Sequence, residues 1–275
     1  MKYSFSADIR SLHTHIIPYI KYTVWRIFPN QYFVLLLIIC YTIMQILTQS
    51  YRRSFIVDEL REISKEFLYL PLETCEFSPV IVIHPYLNSG ITFIDGKPVN
   101  LLEDEDALDA YLKKIEAVIE QAKTPYELMM LLQSQYAMSW LKFARPYLDN
   151  KDFSRLFGEA WVNCETANMD VNVPVEEAAE WFRSSEKSYL MTEDEYIKYL
   201  SISDVITLYR GVAKGRVEKG MSWTSLKSKA KWFSGRFGGE GYLLKMTVPK
   251  NKVLAYFNRR DEEEYVVYPE NYERI

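Results

Sequence analysis

The sequence predicts an α+β fold, and three observations carry that expectation. Apolar residues recur at spacings of three and four over residues 55–70 and again from about 103 to 183. After Asp204 the pattern changes to short β-prone runs divided by glycine. The chain has 275 residues, 48% of them hydrophobic, with only 10 Gly and 11 Pro, so it can bury a core of one to two domains and is not a low-complexity or disordered chain.

Three segments are expected. The first, residues 1–54, is apolar and basic: through Val57 the net charge is +5, against −9 for the remainder. Its most apolar stretch, Tyr32 to Leu47, contains no charge and predicts a helix over 32–48. At about 16 residues it falls between the 10 to 14 of a buried helix and the roughly 20 of an upright membrane span. Tyr19, Tyr22, Trp25 and Phe28 mixed with Lys21 and Arg26 before it, and Arg52 and Arg53 after it, suit a headgroup interface. A membrane helix and a buried helix both fit, and the flanking charges set the C-terminal body on the cytosolic side.

The second segment, residues 55–103, begins with Ile56, Leu60, Ile63, Phe67 and Leu70 on one helical face, ending before Pro71. From 80 to 102, apolar runs alternate with Asn88-Ser89-Gly90 and Asp95-Gly96-Lys97-Pro98, which reads as short strands joined by turns. The third segment, 104–275, opens with helix from Glu103 to about Leu148, broken at Pro125 and Pro146. Two more helices are expected at Phe153 to Cys164 and Val175 to Arg183. Met129, Met130, Met138 and Trp140 fall at core spacing and carry no chemistry.

A net charge of −4 removes the basic field that nucleic-acid binding draws on. The three cysteines, Cys40, Cys75 and Cys164, stand far apart, so a reducing, cytoplasmic compartment is the simpler reading. His13 and His15 have no Cys, Asp or Glu cluster beside them, and no metal site is expected.

Past Asp204 the order reads strand (VITLYRGV), strand (GMSWTS), helix (LKSKAKWFSGRF), then three strands (GYLLKMTV, KVLAYF, EEYVVYP). Three polar elements punctuate it: Tyr209-Arg210-Gly211, Ser222-Trp223-Thr224, and Glu262-Glu263-Glu264 before an apolar run. Taken singly, these are a solvated strand end, a helix N-cap and an exposed turn.

In this order they resemble the mono-ADP-ribosyltransferases of the arginine-serine-glutamate class, whose motifs are an aromatic-Arg-Gly strand, an S-x-[ST] strand leading into a helix, and E-x-E before an apolar strand. The resemblance covers about the last 75 residues, with the helices from about residue 105 matched by position. Trp223 stands where Thr is more usual, and residues 1–100 match nothing in the family. The resemblance implies a split β-sheet core behind a helical layer, with NAD as substrate, no metal, and a protein as acceptor, at arginine because the upstream residue is Glu262. The alternatives are an NAD glycohydrolase and an inactive NAD-binding or membrane-tethered module.

The implied roles follow from the chemistry. Cleaving nicotinamide from NAD passes through a ribosyl oxocarbenium ion, which needs a carboxylate beside it and a clamp on the diphosphate. Glu264 would hold the ribose 2′-hydroxyl and stabilise the cation, and Ser222 would steady it, with Thr224 beside it on the same strand contributing to the NAD site. Arg210 would clamp phosphate or ribose oxygens, and Gly211 would admit the nicotinamide amide to the backbone. Glu262, two residues before Glu264 and so on the same face of an extended strand, would activate the acceptor. Arg236 and Phe237 would supply a phosphate contact and an aromatic lid. Tyr256 and Phe257 would open the acceptor loop, 256–261. Histidine-type relatives are disfavoured by Arg210, and a Rossmann site by the lack of G-x-G-x-x-G.

Overall fold

The computed structural model describes residues 32–236 and 238–275, the side chains of 32–38, 40 and 46–53 excepted. His13, His15, the aromatic and basic residues before Tyr32, and Phe237 lie outside the described residues. Helix α1 (Tyr32–Leu68) takes the apolar run and the amphipathic segment into one helix of 37 residues. Thr48 to Ser54 contains neither Gly nor Pro, so nothing interrupts the hydrogen-bond ladder between the two. Among the described residues no helix is long and apolar enough to cross a membrane.

The chain divides into two units at Phe55, and the rest of this description concerns the larger, Ile56–Ile275. The stretch 56–103, expected as a segment of its own, falls in the same unit as 104–275. Leu60 and Leu68 of α1, both fully buried, share the main core with Trp140 and Phe153. The indole Nε1 of Trp140 donates to Ser64 Oγ at 3.0 Å, satisfying a polar pair inside that core.

Two small hairpins follow, β1 (Glu73–Cys75) with β2 (Ser78–Ile83) and β3 (Ile91–Ile94) with β4 (Lys97–Asn100). The second turns at Asp95-Gly96, both at positive φ (51° and 76°), the conformation that makes Asp-Gly a hairpin turn. Val82, Leu87 and Leu101 form a small separate core beneath them.

The helical layer comprises α2 (Glu105–Gln121), α3 (Pro125–Met130), α4 (Ala137–Ala144), α5 (Asn150–Asn163), α6 (Val175–Ser184), α7 (Lys187–Leu190) and α8 (Glu193–Leu200). Asp104, Thr124 and Asp149 cap α2, α3 and α5 through their side chains, and Thr192 with Glu195 forms a capping box on α8. Phe157, Trp161, Trp181 and Phe182 pack edge-to-face or tilted between α5 and α6.

Six antiparallel strands make the main sheet. They are β5 (Val205–Val212), β6 (Ser222–Thr224), β7 (Tyr242–Pro249), β8 (Val253–Phe257), β9 (Glu264–Val267) and β10 (Glu273–Arg274), in the order β10-β7-β5-β6-β9-β8. Helix α9 (Lys227–Gly235) lies between β6 and β7 in the chain. The sheet's two halves are joined weakly: β5 and β7 pair over eight residues, whereas β5 meets β6 at the single pair Tyr209↔Thr224. The ladder opens at that junction, and the motif residues gather there.

Candidate active-site cleft

Where the two halves of the sheet part, a cleft of about 1150 Å³, counting space open to solvent, is lined from both sides. Arg210, Gly211, Ser222, Thr224, Arg236, Glu262 and Glu264 all line it, so the motif residues meet in one place although they come from three strands, a helix end and a loop.

Glu264 opens β9 opposite Thr224. Trp161 of α5 donates its indole N–H to Glu264 Oε1 at 3.0 Å. Burial pushes the Glu264 carboxyl above the ordinary carboxylate range, and the nearby Glu262 charge adds to this; hydrogen bonds from Ser222 and Trp161 and the charge of Arg210 pull it back. Ser222 is itself held by Asn168, whose Nδ2 donates to Ser222 Oγ at 3.1 Å while its Oδ1 accepts from Met221 N at 2.7 Å. One amide thus pins the start of β6 to the turn after α5.

Arg210 is committed to the protein. Its Nη1 donates to the Ser222 carbonyl at 2.8 Å and its Nη2 to that of Val217 at 3.1 Å, while Nε is buried without a hydrogen-bond partner. Burial pulls the guanidinium down to about 10, against the charge of Glu264, so it stays a cation near neutral pH. The expected clamp is therefore first a clasp between β5 and the loop leading to β6. Gly220 permits it: a Cβ there would lie 2.1 Å from Arg210 Nη2. Gly211 answers to packing as well, since its Cβ would meet the Ala230 carbonyl of α9 at 1.9 Å, so close approach of the helix already requires glycine.

On β6 the side chains alternate. Trp223 is buried and donates Nε1 to the Gly220 carbonyl at 3.0 Å, which explains an aromatic residue at the motif's centre: it belongs to the core. Thr224 is buried too, and its Oγ1 accepts from Leu226 N at 3.2 Å, shaping the entry to α9.

Two expectations are corrected. The E-x-E segment is not extended: Glu262 precedes β9, and Glu263 between the two carboxylates has φ 46°. Glu262 and Glu264 share the cleft because a left-handed residue bends the chain, while Glu263 turns away to accept from Ser225 Oγ at 3.1 Å. Tyr256 and Phe257 do not open an acceptor loop. They sit within β8 at 4% and 2% exposure, and burial pushes the Tyr256 hydroxyl up to about 12. The connecting loop begins only at Asn258, because apolar Val253 to Phe257 is needed in the core.

Sequence reasoning assigns no role to three residues that line the cleft, Trp161, Asn168 and Glu165, and places a fourth, Arg260, only within the expected acceptor loop 256–261. Trp161 falls in the helix expected at Phe153 to Cys164, and Asn168 lies in the short 3-10 turn that follows it. The rim is a chain of charges: Arg236 Nη2 meets Glu165 Oε1 at 3.0 Å, Arg260 Nη2 meets the same oxygen at 3.4 Å, and Arg260 Nε meets Glu262 Oε1 at 3.4 Å. Arg236 holds Glu165 below the ordinary carboxylate range. Only spacing relative to a known cleft would have singled these residues out. Among the described residues no group of three or more His, Cys, Asp or Glu is arranged to hold a metal. No protein-family model, curated protein or solved structure matches the chain.

Proposed function

We propose that this protein cleaves NAD and transfers ADP-ribose to a protein acceptor at arginine. The observation that carries this reading is the convergence on one cleft of Glu264, a half-buried carboxylate held by Trp161, with Glu262, Ser222 and Arg210. The opening of the sheet at Tyr209↔Thr224 supports the split-sheet fold that goes with it.

The residues divide the work as follows. Glu264, in its ionised form and with Trp161 fixing one oxygen, faces the ribosyl cation as nicotinamide departs, and its shielded position strengthens that attraction. Ser222 keeps it in place. Arg210, a cation whose Nε has no protein partner, and Arg236 on the rim offer positive charge to the diphosphate. Glu262 takes the acceptor's proton.

Hydrolysis of NAD is a second reading, favoured by one contact: Glu262 already has an arginine partner in Arg260. Incubating the protein with NAD labelled in its adenosine half and a cell lysate separates the two. Transfer puts the label on protein arginines, hydrolysis leaves it in free ADP-ribose, and either is lost in Glu264→Gln. Absence of nicotinamide release by the folded protein, with and without lysate, overturns both.

A further inference from the structure

We infer that Arg260 is itself an acceptor, so that the protein modifies its own guanidinium at the mouth of the cleft. This rests on the proposed NAD-cleaving activity and adds to it a modification site within the chain. The loop joining β8 to β9 brings Arg260 into the lining of the cleft that also holds Glu262 and Glu264. Its Nε lies 3.4 Å from Glu262 Oε1, the carboxylate assigned to take a proton from an acceptor. An incoming arginine side chain would present the same group to the same base.

The loop is built to keep Arg260 there. The neighbouring Arg259 is tied to Glu195, buried at 4% side-chain exposure, through Nε at 3.3 Å, and its Nη1 pairs with Glu159 of α5. Glu195 Oε1 also accepts from Asn258 N at 2.8 Å, fixing the loop's first residue. Asp261 beyond it is held in a left-handed conformation (φ 53°). Arg260 is thus carried on an anchored loop while its own side chain remains 36% exposed. Of its terminal nitrogens, Nη1 donates to the Val162 carbonyl at 3.2 Å, and Nη2 has a 3.4 Å contact with Glu165, an exposed carboxylate that water can replace.

The step balances. Glu262 removes the proton on Arg260 Nε, and a proton then shifts from Nη2 to Nε, so that the neutral guanidine carries its imine lone pair on Nη2. The bond between the ribose anomeric carbon and the nicotinamide nitrogen breaks, and its electron pair leaves with nicotinamide. Nη2 bonds to that carbon, and the substituted guanidinium again carries one positive charge. A cleft that concentrates base, cation and nucleophile gives the internal acceptor the advantage of proximity over a free one.

The test uses the purified full-length protein with labelled NAD and no other protein. The expected result is one ADP-ribose per chain, mapped to Arg260 by peptide fragmentation, absent in Glu264→Gln, and formed with a rate constant independent of protein concentration over a hundredfold dilution. A rate constant that rises with protein concentration, or label mapped to other residues, overturns the proposal. So does release of nicotinamide with an unlabelled chain, which leaves the NAD-cleaving reading standing. If nicotinamide is not released even when a free guanidino compound is added, that reading has failed and the self-modification with it.

Discussion

Trp161 and Glu264 are 103 residues apart in the chain, yet the indole N–H of the first donates to a carboxylate oxygen of the second at 3.0 Å. The helical layer therefore reaches into the cleft and holds its deepest acid. Phe157 and Phe182 pack against the same indole, so the donor has little freedom to leave.

Trp161→Phe keeps much of the aromatic packing and removes the donor. A hydrogen bond to an ionised group is worth about 1.5 to 3 kcal/mol, so the ionised form of Glu264 loses support and its pKa rises further. The acid limb of the kcat/KM profile for nicotinamide release should move to higher pH, by about one to two pH units for a bond of that strength. An unmoved acid limb in the folded variant means that the indole only packs.

Much of this architecture was legible in the sequence, and the parts that were not share a cause. VITLYRGV became β5 without change because alternating and β-branched residues specify a strand locally, and Asp95-Gly96 specified its own turn. The short helices α7 and α8 were missed: four and eight residues give too few turns for periodicity to register. Glu262, Glu263 and Glu264 were read as extended because sequence does not display the positive φ of Glu263. Tyr256 and Phe257 complete the strand that KVLAYF predicts, and only the resemblance also assigned them to an acceptor loop, since aromatic residues beside Asn258-Arg259-Arg260 suit a binding loop and the end of a core strand alike. Trp161 and Asn168 are functional only through partners 103 and 54 residues away, and no local pattern encodes that distance.

Arg210→Lys should show two separable defects. Loss of the planar fork gives up the bonds to Ser222 and Val217, lowering the melting temperature. NAD affinity by calorimetry should weaken by about 1 to 3 kcal/mol from the lost charge-assisted contact. Gly220→Ala makes the complementary test, because its Cβ would displace the guanidinium rather than remove it. If either folded variant retains full NAD affinity, Arg210 serves the sheet alone.

Gly211→Ala should destabilise by about 1 to 3 kcal/mol, since the added methyl meets a backbone carbonyl of α9 at 1.9 Å and the helix must shift. Chemical denaturation measures this without reference to activity. An unchanged midpoint would mean that α9 stands farther from β5 than described.

His84 gives the fold an acid sensitivity. It is buried, with Nε2 3.1 Å from the Leu68 carbonyl and Nδ1 accepting from Tyr86 N at 3.2 Å, and burial pulls its pKa below the ordinary 6.5. The unfolded chain binds a proton first, so the contribution is intact above pH 6.5 and is lost as pH falls through the lower folded-state value. Stability curves at pH 7 and below 6 should diverge less in His84→Gln than in the wild type; equal divergence assigns the acid loss to other groups.

The two acids of the cleft should separate by both stability and chemistry. Burial raises the Glu264 pKa, so the folded protein resists its ionisation more than the unfolded chain does. Its effect on stability is absent below the ordinary value of 4.5 and becomes a growing loss as pH rises toward the folded-state value, persisting above it. Glu264→Gln should therefore raise the melting temperature at neutral pH, with the gain vanishing in acid, while nicotinamide release and transfer fall together by about 10²-fold or more. A cleft that accepts a destabilising carboxylate is then seen to use it. Glu262 sits at the rim, paired with Arg260, and its replacement by Gln should suppress modification of a protein acceptor while leaving a measurable part of NAD hydrolysis, because the cation still faces Glu264. Calorimetric melting of the two variants across pH, run beside nicotinamide release and acceptor labelling, reads all of these at once. Proportionate loss of both activities in each variant would refute the division between them, and full activity in both would return Asp261 to Glu264 to an acidic turn before a strand.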